Sequence, residues 1–175
     1  LPLEIEPGLD ETAIFNPAAP NFPNGCHVVE AEIDPDTGKV ELVKYSIVDD
    51  VGVTLNPPLL KGQIHGGIAM GMGQALMEDV NYDPKSGQLR SGSFMDYCMP
   101  RADDFCHMEV VSNNTPTTTN PLGVKGAGEA GTVGSIPAVV NAVVDALSPL
   151  GIKHVDMPLT SERVWRAIRE ARNSK

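Results

Sequence analysis

The 175 residues of this chain carry a formal net charge of −10, from 23 acidic and 13 basic side chains, and 41% of them are hydrophobic. This content is enough to bury a core, so it excludes a disordered chain and predicts a single domain over residues 1–175. The sequence lacks the basic cluster that binding to a phosphate backbone requires, so nucleic acid is not an expected partner.

Cysteine usage and hydropathy indicate the expected location. Cys26, Cys98 and Cys106 are odd in number and lie at spacings that suit neither a zinc ribbon nor an iron–sulfur cluster. They are therefore predicted to be reduced thiols, which favours the cytoplasm. The sequence shows neither an apolar run of membrane-spanning length nor a leader, so no membrane contact is expected. The chain does not begin with methionine, which is compatible with a piece of a longer protein.

The first elements expected along the chain are a loop-rich lead-in and a β-hairpin. Residues 1–24 hold several prolines and asparagines without a sustained period, so they are predicted to be extended. Residues 26–48 contain two alternating runs, and the second run places Val43, Tyr45 and Ile47 on one face. An Asp-Pro-Asp-Thr-Gly segment separates the runs and is typical of a tight connection, because proline presets a turn and glycine accepts positive φ.

A glycine-rich helix is predicted after this hairpin. Asn56 can cap it, Pro57 and Pro58 suit its first turn, and residues 59–78 continue without another proline. Its five glycines would each cost about 1 kcal/mol relative to alanine in an exposed helix, so something must come close to this backbone. Another element could pack there, or a flat ligand could lie along one stripe of the helix; both remain open. The glycines are Gly62, Gly66, Gly67, Gly71 and Gly73, and the stripe consists of Gln63, Gly67, Met70 and Gln74.

A second hairpin is predicted within residues 80–112. Its strands would cover residues 89–97 and 107–111, after a turn rich in Asn, Asp, Pro and Gly. A polar and irregular loop over residues 113–121 then leads into a glycine-rich segment. The two hairpins together predict a largely antiparallel sheet.

Two further helices are predicted in the last third of the chain. The first is capped by Ser135, has Pro137 in its first turn and continues to about residue 147, since apolar residues recur there at helical spacing. A short strand over residues 153–156 precedes the last helix, which begins near Thr160. The predicted fold class is therefore α+β: a largely antiparallel sheet built from hairpins, with about three helices packed against it.

Residues 126–131 have the spacing G-x-G-x-x-G and include Glu129. A dinucleotide loop of this kind follows a hydrophobic strand and needs an acid at the end of the next strand. Residues 120–125 are instead a loop, and Asp145 falls inside the following helix, so nucleotide binding is not expected. Two interpretations of Glu129 remain: an acid at a helix entrance, stabilised by the helix dipole, or a general base whose carboxylate the flanking glycines leave open to desolvation.

Other catalytic and metal-binding patterns do not occur in the sequence. The four histidines fall on four predicted elements without an i, i+4 pair, so no metal ion bound directly by protein side chains is expected. No G-x-S-x-G elbow occurs, and no cysteine lies beside an evident base. Glu129 is therefore the outstanding catalytic candidate.

Several runs of the chain resemble one family in matching order. Residues 120–131, Asn-Pro-Leu-Gly-Val-Lys-Gly-Ala-Gly-Glu-Ala-Gly, look like the C-terminal signature of the molybdenum hydroxylase large subunit. This is the xanthine dehydrogenase, aldehyde oxidase and carbon monoxide dehydrogenase family. The likeness extends along nearly the whole chain. The other matching runs are residues 22–27, 48–52, 56–57, 62–67, 73–76, 92–97 and 156–160.

The resemblance implies a molybdopterin-type cofactor, whose pterin dithiolene rather than the protein holds the molybdenum. It implies that Glu129 takes a proton from a molybdenum-bound hydroxyl that attacks an electrophilic carbon of an aldehyde, a purine or an N-heterocycle. Electrons would leave through 2Fe-2S centres, usually to FAD, on other subunits or domains. The resemblance also implies that the cofactor is lined by Gln63, Gly66, Gly67, Met70, Lys125, Gly126, Ala127 and Gly128.

The chain departs from the family pattern in two respects. Met70 stands where many relatives have a glutamine, which removes an amide near the cofactor. The family subunit is also several times longer, so its upstream part is an expected partner and the chain alone is expected to be inactive. The alternative is a stand-alone, non-catalytic assembly or binding module of the same ancestry.

Overall fold

The computed structural model describes residue 8 and residues 10–173. The strands and α-helices are β1 (Asn24–Ile33), β2 (Val40–Asp50), α1 (Pro57–Leu76), β3 (Met108–Ser112), α2 (Ala130–Leu147) and α3 (Ser161–Asn173), with short 3-10 helices at Ala102–Asp104 and Ser148–Leu150. Three helices and one sheet confirm the α+β prediction. Residues 10–23 of the predicted lead-in carry no helix or strand, and residues 1–7 and 9 lie outside the described residues.

The sheet is smaller than predicted, and it is mixed. Its strand order is β1-β2-β3, with β1 and β2 antiparallel and β2 and β3 parallel. β1 and β2 form the first predicted hairpin. In its turn, Gly38 adopts a φ of +73° and its N–H donates to the Asp34 carbonyl at 2.8 Å. Glycine suits this position because a left-handed backbone conformation disfavours a side chain.

A β-bulge changes which residues of β2 face the core. The register shifts between Glu30 and Ala31, so that Ala31 pairs with Leu42. Leu42 and Tyr45 are consequently both buried, together with Ile47 further along the strand. The prediction was wrong for Val43, which is 48% exposed. The extra residue at the bulge interrupts the alternation on which that prediction relied.

The second predicted hairpin, within residues 80–112, is not formed. Tyr82 and Leu89 make an isolated bridge, and residues 93–97 form turns and bends. β3 instead joins the free edge of β2 in parallel orientation. The alternation of apolar residues does not specify strand direction, and a long excursion allows a parallel return. The predicted strand over residues 153–156 is also absent from the described sheet.

The helices agree with the sequence in number but not in every boundary. Asn56 Oδ1 accepts a hydrogen bond from the Leu59 N–H at 3.1 Å and caps α1 as predicted. α2 was expected to begin at Ser135 but begins earlier, with Pro137 in its interior. The Ser135 hydroxyl donates to the Thr132 carbonyl at 3.1 Å inside the helix rather than capping it. Packing of the first turns of α2 against α1 outweighs the local stop signal of the proline.

The core consists of two connected hydrophobic clusters. α2 contacts both α1 and β1, and its beginning lies beside the hairpin, since a Cβ on Gly134 would overlap the His27 ring of β1. The first cluster joins the sheet to α1 through Tyr45, Ile47, Ile64, Ile68 and Met72. The second joins α2 to α3 through Val143, Leu147, Val164 and Ile168.

The segment Ala130–Leu150 is long and apolar enough to cross a membrane by length and composition alone, with a mean hydropathy of 1.5. The expectation that the sequence holds no such run was therefore wrong. The stripe of this helix that includes Val139 and Val143 is fully buried in the protein core. An apolar core helix meets the same length and hydropathy criterion as a membrane span.

Candidate functional site

The loop over residues 120–129 is bonded to the end of β2. The Val53 N–H donates to the Gly123 carbonyl at 3.0 Å, and the Lys125 N–H donates to the Val51 carbonyl at 2.9 Å. Gly123 has a φ of +68°, a conformation that glycine adopts without strain. The loop that carries Glu129 is thus an extension of the sheet edge and not a free connection.

Two side chains fix this loop further. Asn120 Nδ2 donates to the Val124 carbonyl at 2.9 Å, and Asn120 Oδ1 accepts from the Val124 N–H at 3.2 Å. Lys125 Nζ lies 2.6 Å from Asp50 Oδ2, and these two side chains are only 11% and 13% exposed. A charge-assisted bond at this distance is among the stronger contacts a side chain makes. It ties the loop to the last residue of β2.

The Asp50 carboxylate accepts three hydrogen bonds. Besides Lys125, its carboxylate accepts from the backbone N–H groups of Gly52 and Thr115, each at 2.9 Å. The Lys125 bond, followed by these two backbone bonds, lowers the pKa of Asp50 to about 2. Lys125 was predicted to bind the cofactor, and the structure places its ammonium on Asp50.

Gln63 of α1 bonds the loop directly. Its Nε2 donates to the Gly128 carbonyl at 2.8 Å, which joins α1 to the loop immediately before Glu129. A Cβ built on Gly66, Gly126 or Gly128 would meet no atom within 4 Å. The N–H groups of residues 126–128 donate no hydrogen bond within the described part of the chain. This side of the loop therefore offers open backbone donors.

Other glycines of α1 serve helix packing instead. A Cβ on Gly67 would lie 2.9 Å from the Thr132 nitrogen and 3.0 Å from Gly131 Cα, and a Cβ on Gly71 would overlap the Ser135 hydroxyl. Both explanations of the glycine content therefore apply, to different residues: Gly67 and Gly71 let α2 approach, whereas Gly62 and Gly66 border open space. On the same stripe as Gly67, Met70 is 56% exposed, and its sulfur lies 3.9 Å from the Thr132 hydroxyl.

Glu129 stands at the N-cap position of α2. Its backbone carbonyl accepts the Val133 N–H at 3.0 Å, but its side chain makes no capping bond and is exposed. The carboxylate is thus not engaged in holding the helix. Glu129 and Gly128 border a cavity of about 500 Å³ between the start of α2 and residues 21–25.

The floor of this cavity holds a polar group that sequence reasoning missed. His27 Nδ1 lies 2.6 Å from the Tyr45 hydroxyl, and His27 Nε2 lies 3.9 Å from Asp49 Oδ1. Asp49 is 2% exposed, and its Oδ2 has no hydrogen-bond partner within the described part of the chain. A buried carboxylate oxygen without a donor is costly, so this position calls for a partner.

Burial displaces the pKa values of this group. It lowers the pKa of His27 and raises the pKa of Asp49. It also raises the pKa of Tyr45, and the nearby Asp49 charge acts in the same direction. Tyr45 therefore keeps its proton, and its hydroxyl and His27 Nδ1 share a hydrogen bond whose donor depends on the tautomer of the ring.

The signal for Asp49 was present in the sequence but was not used. Tyr45, Ile47 and Asp49 occupy alternate positions of β2, so an acid at the third position falls on the buried face. Sequence alone could not bring His27 to it, because the hairpin register and the approach of α2 decide that contact.

With this geometry described, comparisons with known proteins identify the family. Residues 3–106 match the family described as "Molybdopterin cofactor-binding domain". The carbon monoxide dehydrogenase large chain of Hydrogenophaga pseudoflava is 37% identical over 169 residues, which are 97% of this chain and 21% of that protein. This chain belongs to the molybdenum hydroxylase large-subunit family.

Two further relatives agree. The nicotine 6-hydroxylase large subunit of Paenarthrobacter nicotinovorans is 42% identical over 166 residues, 95% of this chain and 20% of that protein. The crystal structure of a Cu,Mo-CO dehydrogenase superposes with a TM-score of 0.89 at 33% identity, over 97% of this chain and 21% of that chain. The chain therefore spans about a fifth of the length of the molybdenum hydroxylase large subunits that it matches.

The predicted site residues of this molybdenum hydroxylase chain fall into two groups. Gly126, Gly128 and Glu129 line the cavity, Gln63 bonds the Gly128 carbonyl, and the Ala127 N–H belongs to the unbonded backbone of the same loop, while Gly66 borders open space and Met70 is exposed on α1. The Lys125 side chain instead forms an ion pair with Asp50, and Gly67 packs against α2. The described residues contain no cluster of three or more His, Cys, Asp or Glu side chains for a metal ion. Open glycines and free backbone N–H groups fit a polar organic cofactor, which needs no such cluster.

Proposed function

We propose that this chain is the cofactor-binding portion, folded as a single domain, of a molybdenum-dependent hydroxylase that oxidises an aldehyde, purine or N-heterocycle with water as oxygen source. The observation that carries the proposal is the position of Glu129. An exposed carboxylate without a capping bond follows a loop that is fixed at Lys125 and Gln63. A side chain that is held in position by a rigid loop, but makes no structural contact of its own, is suited to proton transfer.

In this proposal the molybdenum cofactor supplies the two-electron redox chemistry when bound. Gln63 orients the loop through the Gly128 carbonyl, and the backbone N–H groups of residues 126–128 donate to polar atoms of the pterin. Gly66 leaves room along α1, and Met70 adds an apolar contact. Lys125 and Gly67 contribute by holding the loop and the helix in place.

Glu129 would accept a proton from the water-derived oxygen that is transferred to the substrate. One Oε atom takes the proton and must release it before the next turnover. In this chain alone the carboxylate is exposed to solvent. Covering by the upstream part of the large subunit would desolvate it and strengthen it as a base.

The proposed partners follow from the share of the subunit that this chain covers. The chain spans about a fifth of its relatives, so the upstream part would supply the remaining cofactor contacts and most of the substrate pocket. Iron–sulfur and FAD subunits or domains would accept the electrons. The chain by itself is proposed to be inactive.

Reconstitution tests this function. The chain is co-expressed with the upstream segment, and molybdenum content and substrate oxidation with a dye acceptor are measured. Glu129→Gln should retain molybdenum but lower kcat by at least about 100-fold, because it removes the proton acceptor. Glu32→Gln, an exposed acid on β1, is the matched control and should keep full turnover.

Two results would contradict the proposal. Unchanged turnover in Glu129→Gln would remove this residue from the reaction. Neither molybdenum nor turnover in the reconstituted wild-type protein would favour a non-catalytic assembly or binding module of the same ancestry.

A further inference from the structure

The cavity beside Glu129 has apolar walls and an acidic floor. Phe22, Pro23 and Val133 form part of its walls, and Asp49 and His27 lie at its floor. Phe22 and Val133 are 72% and 68% exposed, so the walls are open to an incoming molecule. A concave, mainly apolar site with a few polar groups is the usual form of a small-molecule site.

Two glycines make the arrangement of the floor possible. A Cβ on Gly25 would overlap the Asp49 carboxylate, and a Cβ on Gly134 would overlap the His27 ring. The absence of a side chain at Gly25, which pairs with Asp49, and at Gly134, where α2 approaches, thus leaves room for Asp49 and His27. The site is built into the fold and is not a surface irregularity.

The hydrogen bonds at the cavity floor show that a donor to Asp49 is missing. His27 Nε2 lies 3.9 Å from Asp49 Oδ1, which is too far for a hydrogen bond. Asp49 Oδ2 has no donor within the described residues. The missing partner is therefore a group with N–H or O–H donors for Asp49.

The charges around the cavity indicate the charge of the ligand that it would bind. Its titratable lining residues are Asp49, Glu129 and His27, and no Lys or Arg is among the described residues that line it. Burial lowers the pKa of His27, which disfavours a positive charge on its ring. A cation gains more than a neutral donor here, because a desolvated carboxylate interacts strongly with positive charge.

We propose that this cavity binds a small flat organic cation, an aryl amidinium or a protonated aryl amine, whose N–H groups donate to Asp49. The aromatic part lies against Phe22 and Val133. Glu129 at the rim adds a second negative charge. The inference goes beyond the proposed function and does not rest on it, because such binding requires no molybdenum.

Three probes of nearly equal shape test the proposal on the purified chain: benzamidine, which is a cation, benzamide, which is neutral, and benzoate, which is an anion. Isothermal titration calorimetry gives Kd for each. Benzamidine should bind at least about tenfold more tightly than benzamide, and benzoate should bind most weakly. Asp49→Asn should bring benzamidine to the level of benzamide. Asp145→Asn, an exposed acid on the far part of α2, should change nothing.

A second variant keeps the test decisive if Asp49→Asn does not fold. Val133→Lys places a positive charge at an exposed position of the cavity wall and should lower the preference for benzamidine over benzamide about fivefold, because the loss of the apolar contact is common to both probes. Equal Kd values for benzamidine and benzamide in the wild-type chain would overturn the proposal. So would a preference for benzamidine over benzamide that stays at its wild-type value in Val133→Lys or in a folded Asp49→Asn variant.

Discussion

At the scale of single residues, the structure distinguishes Glu129, whose carboxylate is exposed, from the residues that hold its loop in place. Glu129 makes no capping bond, whereas Lys125, four residues earlier, is engaged with Asp50. The sequence resemblance implied that Glu129 is the catalytic base and that Lys125 lines the cofactor. Only the structure shows that the Lys125 ammonium is directed into the protein, where Asp50 accepts three donors.

The Asp50–Lys125 pair should stabilise the chain in a pH-dependent manner. The pKa of Asp50 is about 2 in the folded protein, below the ordinary value of 3.8. A lowered carboxyl pKa contributes stability that is fully present above the unfolded value and is lost as the pH falls through the folded value. Asp50→Asn should therefore lower the urea midpoint at pH 5–7, and the difference from wild type should shrink towards pH 2.

Asp83 provides a matched control, because its pKa is also lowered to about 2, by backbone bonds from Ser86 and a bond from Arg90 in a distant turn. Hydrogen exchange distinguishes the two sites. Asp50→Asn should speed exchange of the amides in residues 123–129, whereas Asp83→Asn should leave them unchanged. Equal protection of this loop in both variants would show that the ion pair does not fix it.

At the scale of elements, the contact between α1 and α2 decides where the site lies. Gly67 and Gly131 meet where the helices come close, and a Cβ on Gly131 would lie 2.6 Å from the Ile64 carbonyl oxygen. The sequence predicted that something approaches this helix but left open what it was. What approaches α1 differs from one helical turn to the next, because each glycine faces a different neighbour.

Gly131→Ala should destabilise the chain by about 1–3 kcal/mol, because the added methyl group meets backbone atoms that cannot move aside independently. Gly62→Ala is the control on the same helix pair: its Cβ meets nothing within 4 Å, so it should stabilise α1 by about 0.5–1 kcal/mol. The free energy of unfolding from urea titration checks both. A neutral or stabilising Gly131→Ala would mean that the helices are not in close contact.

Predictions of single elements were correct where all the residues that decide the structure lie close together in the sequence. The cap at Asn56 and the turn closed by Gly38 depend on residues that are neighbours in sequence. The second hairpin failed because strand pairing depends on a distant partner, here β2 for β3. The early start of α2 before Pro137 likewise reflects packing and not local preference.

At the scale of the whole molecule, the exposed apolar side chains indicate a surface that another part of a larger protein covers. Phe94, Met95 and Leu59 are all exposed, and α2 is apolar on more than its buried stripe. Isolated exposed apolar residues are ordinary, but several on neighbouring elements resemble an interface. The proposed upstream part of the subunit is the expected cover.

Addition of the upstream segment should therefore slow hydrogen exchange at residues 93–97 and in the first turns of α2. Binding of a hydrophobic dye to the chain should also fall. The hairpin turn around Gly38, which lies against Trp165 of α3, serves as the control and should exchange at its original rate. Unaltered exchange and dye binding would contradict the proposed covering.

The sequence by itself determined the α+β class, the capped glycine helix, the first hairpin and the family, because these depend on local chemistry and on motifs in fixed order. It also singled out Glu129 as the residue to test. Only the tertiary structure decided that Lys125 is held by Asp50, that Gly67 serves packing while Gly66 borders open space, and that His27 and Asp49 share a cavity floor. These contacts join residues far apart in sequence, and hairpin register and helix approach, which no local pattern encodes, bring them together.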